Sequence, residues 1–167
     1  APAPVPAPAP AQPSTSPTPV AENSTGVMQN FALTMELQGL IAQGQTERAF
    51  AVALNASSPE LVEWLCAQLD PKSLNQPTVV SPLVLVSLIA QLAGELHAEP
   101  VKLKLAWLSE SLKLLNPNDG LIAANIDRIL QSVKDQVAYA EERVAETHAA
   151  DLARVSFMVQ KLCSMRR

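Results

Sequence analysis

The chain has 167 residues, enough for one ordinary domain, and 48% of them are hydrophobic, which is ample for a packed core. Only 17% are charged, the net charge at pH 7 is −4 and aromatic residues make up 4%, so the composition disfavours the basic, aromatic-rich surface of an RNA-binding domain. No apolar run reaches the roughly 20 residues that a membrane span needs.

Residues 1–26 form a low-complexity segment. They contain eight of the 14 prolines, in Ala-Pro alternation followed by Ser-Pro and Thr-Pro pairs. This composition favours an extended, polyproline-like chain without tertiary contacts. We therefore expect residues 1–26 to be a disordered Ala/Pro/Ser/Thr-rich linker and residues 27–167 to form a single all-helical domain.

Beyond Gly26 the apolar residues recur at intervals of three and four, which is typical of amphipathic helices. The first predicted helix ends at Gly44, and a short second helix runs from Thr46 to Leu54. The apolar residues of the first helix are Phe31, Met35, Leu37, Leu40 and Ile41. Those of the second are Ala49, Phe50 and Ala53.

The third predicted helix has two competing start signals. Ser58 as N-cap would place Pro59 at the first helical position, whereas Ser57 would place Glu60 at the capping-box position. The helix should end before Pro71, because the residue preceding a proline avoids the α conformation. Its apolar face consists of Leu61, Val62, Leu65, Cys66 and Leu69. Residues 72–80 then form the longest connection in the domain.

Two central helices are predicted over residues 81–97 and 100–115. Ser81 is well placed as N-cap, with Pro82 at the first helical position. The following run, residues 83–93, is apolar on nearly every side and must be wrapped by other helices. The short connection at residues 98–100 predicts an antiparallel hairpin.

A turn at residues 116–120 precedes the last two predicted helices. The first of these two is marked by Ile122, Ile126, Ile129, Leu130, Val133 and Val137, and the second by Leu152, Val155, Met158, Val159 and Leu162. No segment shows the two-residue alternation of a strand. The sequence therefore predicts an all-α fold of about seven helices in stacked antiparallel hairpins, an α-solenoid.

Few residues could support catalysis or hold a metal. Neither His97 nor His148 is followed three or four residues later by the Glu or His that a metal-binding helix would use, and a site that added Cys66 and Cys163 would need four helices to converge. Both cysteines lie on apolar sides of predicted helices and are expected to be buried, reduced thiols. Phosphate-cradling and dinucleotide-binding glycine patterns are missing. We expect a domain that is not an enzyme, with no catalytic residues, metal or cofactor.

The central and final helices offer candidate contact residues. Trp64 and Trp107 are interpreted as core residues rather than binding residues, because tryptophan buries much area wherever it packs. Lys102 and Lys104 point about 200° apart around their helix, so they cannot form one compact patch.

The last predicted helix is basic, with Arg154, Lys161, Arg166 and Arg167. Arg154 and Lys161 are seven residues apart and share a face. One interpretation is complementation of the helix dipole at a C-terminus. The other is a charge anchor for an acidic and hydrophobic peptide, with Met158 as an adaptable apolar contact. This second interpretation predicts Arg154, Met158 and Lys161 as partner-binding residues.

Five segments occur in the order and spacing of a known family: Glu47–Phe50, Val62–Cys66, Leu85–Ala93, Lys104–Leu108 and Asn116–Asp119. Over residues 35–165 the chain resembles the C-terminal domain of the enhancer of mRNA decapping protein 4 of animals, called varicose in plants. It resembles the plant members more closely.

The resemblance implies a non-catalytic scaffold of the cytoplasmic 5′-to-3′ mRNA decay pathway, with armadillo/HEAT-like stacking of helices. It also implies that the domain docks the decapping enzyme and decapping activators and supports localisation to processing bodies. Neither direct contact with nucleic acid nor a membrane is expected. The alternative hypothesis is a self-associating structural domain that sets oligomeric valency.

Overall fold

The computed structural model describes residues 3–4, 20–75 and 80–166. These residues form seven α-helices and no strand. The α-helices are α1 (Val20–Ala42), α2 (Thr46–Asn55), α3 (Pro59–Gln68), α4 (Pro82–Gly94), α5 (Val101–Leu114), α6 (Ile126–Glu141) and α7 (Ala149–Met165). Two short 3₁₀-helices, Pro71–Asn75 and Glu146–His148, precede α4 and α7. The predicted all-α class is confirmed, and none of the described helices is both long and apolar enough to cross a membrane.

The helices stack as successive hairpins in two layers. Helices α2, α4 and α6 form one layer, in which each packs on the next, and α3, α5 and α7 form the other. The pairs α2–α3, α4–α5 and α6–α7 each pack across a short connection, and α1 covers the first pair. This arrangement is the predicted α-solenoid, in which each hairpin buries its apolar face against its neighbours.

Two apolar clusters share the central hairpin. The N-terminal cluster contains side chains of α1, α2 and α3 with Leu88, Leu92 and Trp107. The C-terminal cluster joins the opposite sides of α4 and α5 to α6 and α7, through residues such as Ile89 and Leu105. Because α4 serves both clusters, its apolar run is buried over a wide face, although Leu83 in its first turn is 55% exposed.

Proline positions set the starts of α3 and α4. Ser58 precedes α3 with Pro59 in its first turn, which decides between the two predicted caps. Ser57 instead takes a left-handed conformation with φ of 54°. Ser81 is the N-cap of α4 by position, but its side chain makes no capping hydrogen bond. Its backbone N–H donates to Glu47 Oε1 at 2.9 Å, which ties α2 to the start of α4.

Helix α1 differs from its prediction in two respects. Most of the predicted linker lies outside the described residues, but α1 already begins at Val20, so residues 20–26 are helical rather than extended. A formed helix extends readily, because each added residue fixes one further hydrogen bond. The predicted apolar stripe is also divided: Leu37 and Leu40 are buried, whereas Phe31 and Met35 are 67% and 55% exposed on the opposite side.

Candidate docking groove between α5 and α7

Helix α5 has a closed side toward α3, where Lys104 is 2% exposed. The Lys104 ammonium lies 2.8 Å from Glu63 Oε1 and donates to the carbonyl oxygens of Glu95 and Ala98 at 3.0 and 3.1 Å. These carbonyls follow the end of α4, so the cation satisfies backbone acceptors at a helix C-terminus. Lys102 is exposed, so the two lysines form no single patch, as predicted, but the sequence did not indicate that Lys104 would be buried.

Trp107 completes this closed side. It is fully buried, its indole Nε1–H donates to the Cys66 carbonyl at 3.0 Å, and its ring meets Phe50 edge-on at a centroid distance of 5.4 Å. Trp64 is half-buried against the same cluster. Both tryptophans therefore pack as core residues, as predicted.

The side of α5 that faces α7 is open. Near the C-terminal ends of the two helices lies a cavity of about 280 Å³, which we call the apolar cavity. Its apolar lining consists of Leu112, Leu115, Phe157, Met158, Leu162 and Met165. Lys113 and Lys161 are its charged residues. Phe157 and Met165 are 67% and 48% exposed, so large apolar side chains here are presented to solvent.

A second cavity of about 230 Å³ lies near the N-terminal ends of the same helices, and we call it the charged cavity. Leu105 and Ser109 of α5 are among its lining residues. Its charged residues are Asp70, Lys72, Lys102, Glu110, Asp151 and Arg154.

The two cavities follow one another along the α5–α7 interface. Early residues of α5 line the charged cavity with early residues of α7, and late residues of α5 line the apolar cavity with late residues of α7, so the helices run in the same direction. Ser109 Oγ, which lines the charged cavity, contacts Met158 Sδ of the apolar cavity at 3.5 Å. We call the two cavities together the α5–α7 groove.

Two of the three acids of the groove are already engaged by donors of the chain. Glu110 accepts hydrogen bonds from Lys113 Nζ at 2.7 Å and Asn75 Nδ2 at 3.3 Å. The bond from Lys113 is the main reason why the pKa of the Glu110 carboxyl is lowered, and burial opposes it. Asp70 Oδ1 accepts the backbone N–H of Lys72 at 2.9 Å.

Four of the five cations of the groove are available to a ligand. Within residues 20–75 and 80–166, no carboxylate lies within salt-bridge distance of Lys72, Lys102, Arg154 or Lys161. The groove therefore presents cations that could pair with acidic groups of another molecule.

The predicted contact residues occupy both cavities. Met158 and Lys161 line the apolar cavity, and Arg154 lines the charged one. The structure thus places all three on one groove, which is consistent with their spacing on α7. Phe157 was not among the predicted contact residues. Its position outside the spacing of the buried residues Val155, Val159 and Leu162 could have identified it as an exposed aromatic residue.

Among the basic residues predicted for the end of α7, Arg166 has a structural role. Arg166 pairs with both carboxylate oxygens of Asp127, at 2.7 and 2.8 Å, and donates to the carbonyls of Pro117 and Ala123. This hydrogen-bonded pairing lowers the pKa of Asp127 and raises that of Arg166. Arg166 therefore clamps the end of α7 to the α5–α6 connection and the first turn of α6, while Arg167 lies outside the described residues.

The two cysteines have different environments. Cys66 is buried as predicted, and burial raises the pKa of its thiol to about 12, so it remains protonated at neutral pH. Cys163 is exposed, and the prediction that it would be buried was wrong. It lies in the last turn of α7, about 60° from the middle of the buried face.

No group of three or more His, Cys, Asp or Glu side chains in the described part of the chain could hold a metal ion. The exposed His97 ring instead packs edge-on against Tyr139 at a centroid distance of 5.1 Å. The Arg143 guanidinium lies 3.5 Å from the centre of the same tyrosine ring.

Comparison with known sequences identifies relatives. The family described as "Enhancer of mRNA-decapping protein 4, C-terminal" matches residues 37–155. Enhancer of mRNA-decapping protein 4 of Homo sapiens is 32% identical over 100 residues, which cover 59% of this chain and 7% of that protein. The Danio rerio protein is 28% identical over 122 residues, covering 72% of this chain and 9% of the relative. The chain thus spans less than a tenth of the length of these relatives.

A solved structure shows the same fold. The crystal structure of the conserved C-terminal region of Ge-1 superposes with a TM-score of 0.70 at 21% sequence identity, covering 78% of this chain and 98% of that one. The family resemblance seen in the sequence is confirmed, while the closer likeness to plant members stays a prediction. Because the family match covers most of the helical region, the chain belongs to the family of the C-terminal domain of Enhancer of mRNA-decapping protein 4.

Proposed function

We propose that this domain is a non-catalytic scaffold module of the cytoplasmic mRNA decapping assembly in 5′-to-3′ decay. It docks the decapping enzyme and decapping activators through the α5–α7 groove and supports their concentration in processing bodies. The observation that carries this proposal is the exposed apolar pair Phe157 and Met165 beside Lys161, in a family whose full-length relatives are called enhancers of mRNA decapping.

The shape of the groove supports protein docking. Cavities of about 280 and 230 Å³ lie below the usual range for small-molecule sites, roughly 300 to 1,000 Å³, but each can accept one or two side chains. Exposed large apolar residues with charged neighbours are typical of protein contact surfaces.

The chemistry of the groove supports binding rather than catalysis. Neither cavity is lined by a histidine or a cysteine. The Glu110 carboxylate already accepts hydrogen bonds from two side chains of the chain, which leaves it poorly suited to act as a general base.

The test is an affinity pull-down from nuclease-treated plant lysate, with the decapping enzyme and its activators quantified by mass spectrometry. Arg154→Glu, Lys161→Glu and Phe157→Ala should each reduce recovery of these factors by about tenfold, which corresponds to the roughly 1.4 kcal/mol of one good contact.

Matched controls separate the groove from general effects. Lys134→Glu reverses the charge of an exposed lysine on α6, and Leu121→Ala truncates an apolar residue that is 67% exposed, like Phe157. Both controls should keep wild-type recovery, and all variants should keep the wild-type melting temperature. Equal recovery with the groove variants and the wild type would contradict docking at this surface.

A second candidate function, self-association, is favoured by the outer face of α1. This face consists of Val27, Met28, Phe31 and Met35, which are 55 to 75% exposed. Within α1 only Glu22 and Glu36 are charged, so a second copy of the same face would meet little repulsion. Light scattering should then show a concentration-dependent dimer that Phe31→Asp abolishes; a monomer at all concentrations would exclude this role.

A further inference from the structure

The two cavities of the α5–α7 groove differ in chemistry and follow one another in a fixed order. Charged side chains surround the cavity between the early turns of α5 and α7, and apolar side chains surround the cavity between the late turns. A ligand that fills the groove must therefore carry charged groups at one end and an apolar group at the other.

The sign of the complementary charge follows from the lining residues. The charged cavity is lined by three cationic and three acidic side chains, and the apolar cavity adds Lys113 and Lys161, so the groove as a whole has a net charge of +2 on a chain whose net charge is −4. Glu110 is paired with Lys113, whereas Lys102, Arg154 and Lys161 have no ion-pair partner among the described residues. Acidic groups are the ligands that such unpaired cations stabilise.

The length of the groove sets the spacing of those groups. Arg154 and Met165 are eleven residues apart on one continuous helix, or about 16 Å at 1.5 Å per residue. An extended peptide spans that distance with about five residues at roughly 3.3 Å each. A helical peptide would need about eleven residues.

We propose that the α5–α7 groove binds a single extended peptide segment of acidic and apolar character. Its carboxylates lie over Lys102 and Arg154, and a large apolar side chain about five residues away enters the far end of the apolar cavity, beside Met165. This inference rests on the proposed function only in taking the groove as the docking surface, and it specifies the chemistry of the segment that docks.

The same features disfavour other occupants. A nucleic acid would leave the apolar cavity, which is lined by residues such as Leu112, Phe157 and Leu162, without a matching group. The paired arrangement of cations and apolar pocket instead matches the recognition of linear motifs, in which charges fix register and one anchor supplies affinity.

The experiment selects twelve-residue random peptides displayed on phage against the immobilised 167-residue chain. The expected consensus has two or more Asp or Glu residues and a Leu, Phe or Trp separated from them by four to six residues. Selected peptides without enriched acids, or with the acids and the anchor about eleven residues apart, would overturn the proposal.

Binding of the strongest peptide is then measured by fluorescence anisotropy. Arg154→Glu and Phe157→Ala should each raise the Kd at least tenfold, whereas the controls Lys134→Glu and Leu121→Ala should change it less than twofold. A peptide with its acids replaced by lysine should bind Arg154→Glu more tightly than it binds the wild type. This rescue cannot arise from misfolding, and its absence would overturn the assigned pairing.

The outcomes separate this inference from the proposed function. If selected peptides bind the groove but no decapping factor is recovered from lysate, the peptide site stands and the proposed function fails. If decapping factors are recovered but their binding and the selected peptides are unaffected by the groove variants, the scaffold role stands and the peptide site is wrong.

Discussion

One side of α5 is packed and buried, whereas the other borders two open cavities. Toward α3, Lys104 and Trp107 are buried, and their polar atoms have partners on Glu63, Glu95, Ala98 and Cys66. Toward α7, two cavities remain, and cations such as Arg154 and Lys161 have no carboxylate partner in the described part of the chain.

The difference separates residues that stabilise the fold from residues that are free to bind. A buried cation or indole must have its hydrogen bonds satisfied within the protein, because an unsatisfied buried polar group costs about 1–3 kcal/mol. An exposed cation is satisfied by water and can exchange that water for a partner at little cost. Substitutions on the two sides should therefore affect different measurements.

The largest expected effect is on the closed side. Trp107→Ala should lower the free energy of unfolding by about 3–5 kcal/mol, because it removes a fully buried aromatic side chain that packs on Phe50. Urea denaturation followed by circular dichroism measures this loss. Trp64→Ala, at a half-buried position, should lower the free energy of unfolding by less. An equal or larger loss at Trp64 would contradict the assignment of Trp107 as the more important core residue.

A smaller loss is expected for the buried cation. Lys104→Met keeps most of the aliphatic stem but leaves Glu63 and two backbone carbonyls without their donor, so the free energy of unfolding should fall by about 2 kcal/mol. The matched control Lys102→Met, two residues away and exposed, should change it by less than about 0.5 kcal/mol. Equal effects of the two substitutions would show that the buried ion pair does not stabilise the fold.

A still smaller effect is expected on stability at low pH, from the ion pair between Asp127 and Arg166 at the end of α7. The pKa of Asp127 is below its ordinary value of 3.8, chiefly because Arg166 donates hydrogen bonds to it. Its contribution is therefore present above about pH 4 and is lost as the pH falls and the folded-state carboxylate is protonated.

Asp127→Asn should reduce the steepness with which the melting temperature falls between pH 4 and pH 2, measured by differential scanning calorimetry. The control Glu141→Gln removes an exposed carboxylate of the same helix that has no ion pair in the described part of the chain. An unchanged slope for Asp127→Asn would mean that the Arg166 clamp does not form in solution.

The last prediction involves no change in stability. Iodoacetamide at pH 8 should alkylate the exposed Cys163 and spare Cys66, whose thiol is buried and has a pKa of about 12. Peptide mass spectrometry identifies the modified residue. In Trp107→Ala, Cys66 should become reactive, because the indole that donates to its carbonyl and shares its apolar cluster is gone; protection that persists would show that other contacts close this side.

Local signals were sufficient for much of the helical framework. Serine followed by proline marked the starts of α3 and α4, and apolar spacing identified the buried faces of α2 and α6. These features depend on backbone conformation and helical periodicity, which neighbouring residues along the chain determine. The same periodicity placed Arg154, Met158 and Lys161 on one side of α7.

The sequence by itself thus determined the helical class and the order of the helices, that they stack as hairpins, and which family the domain resembles. Only the tertiary structure decided that Lys104 is buried and Lys102 is not, that Cys163 and Phe31 face solvent, and that Arg166 is a clamp rather than a free cation. The physical reason is that burial and pairing depend on which distant helix covers each face, and helical periodicity carries no information about that neighbour.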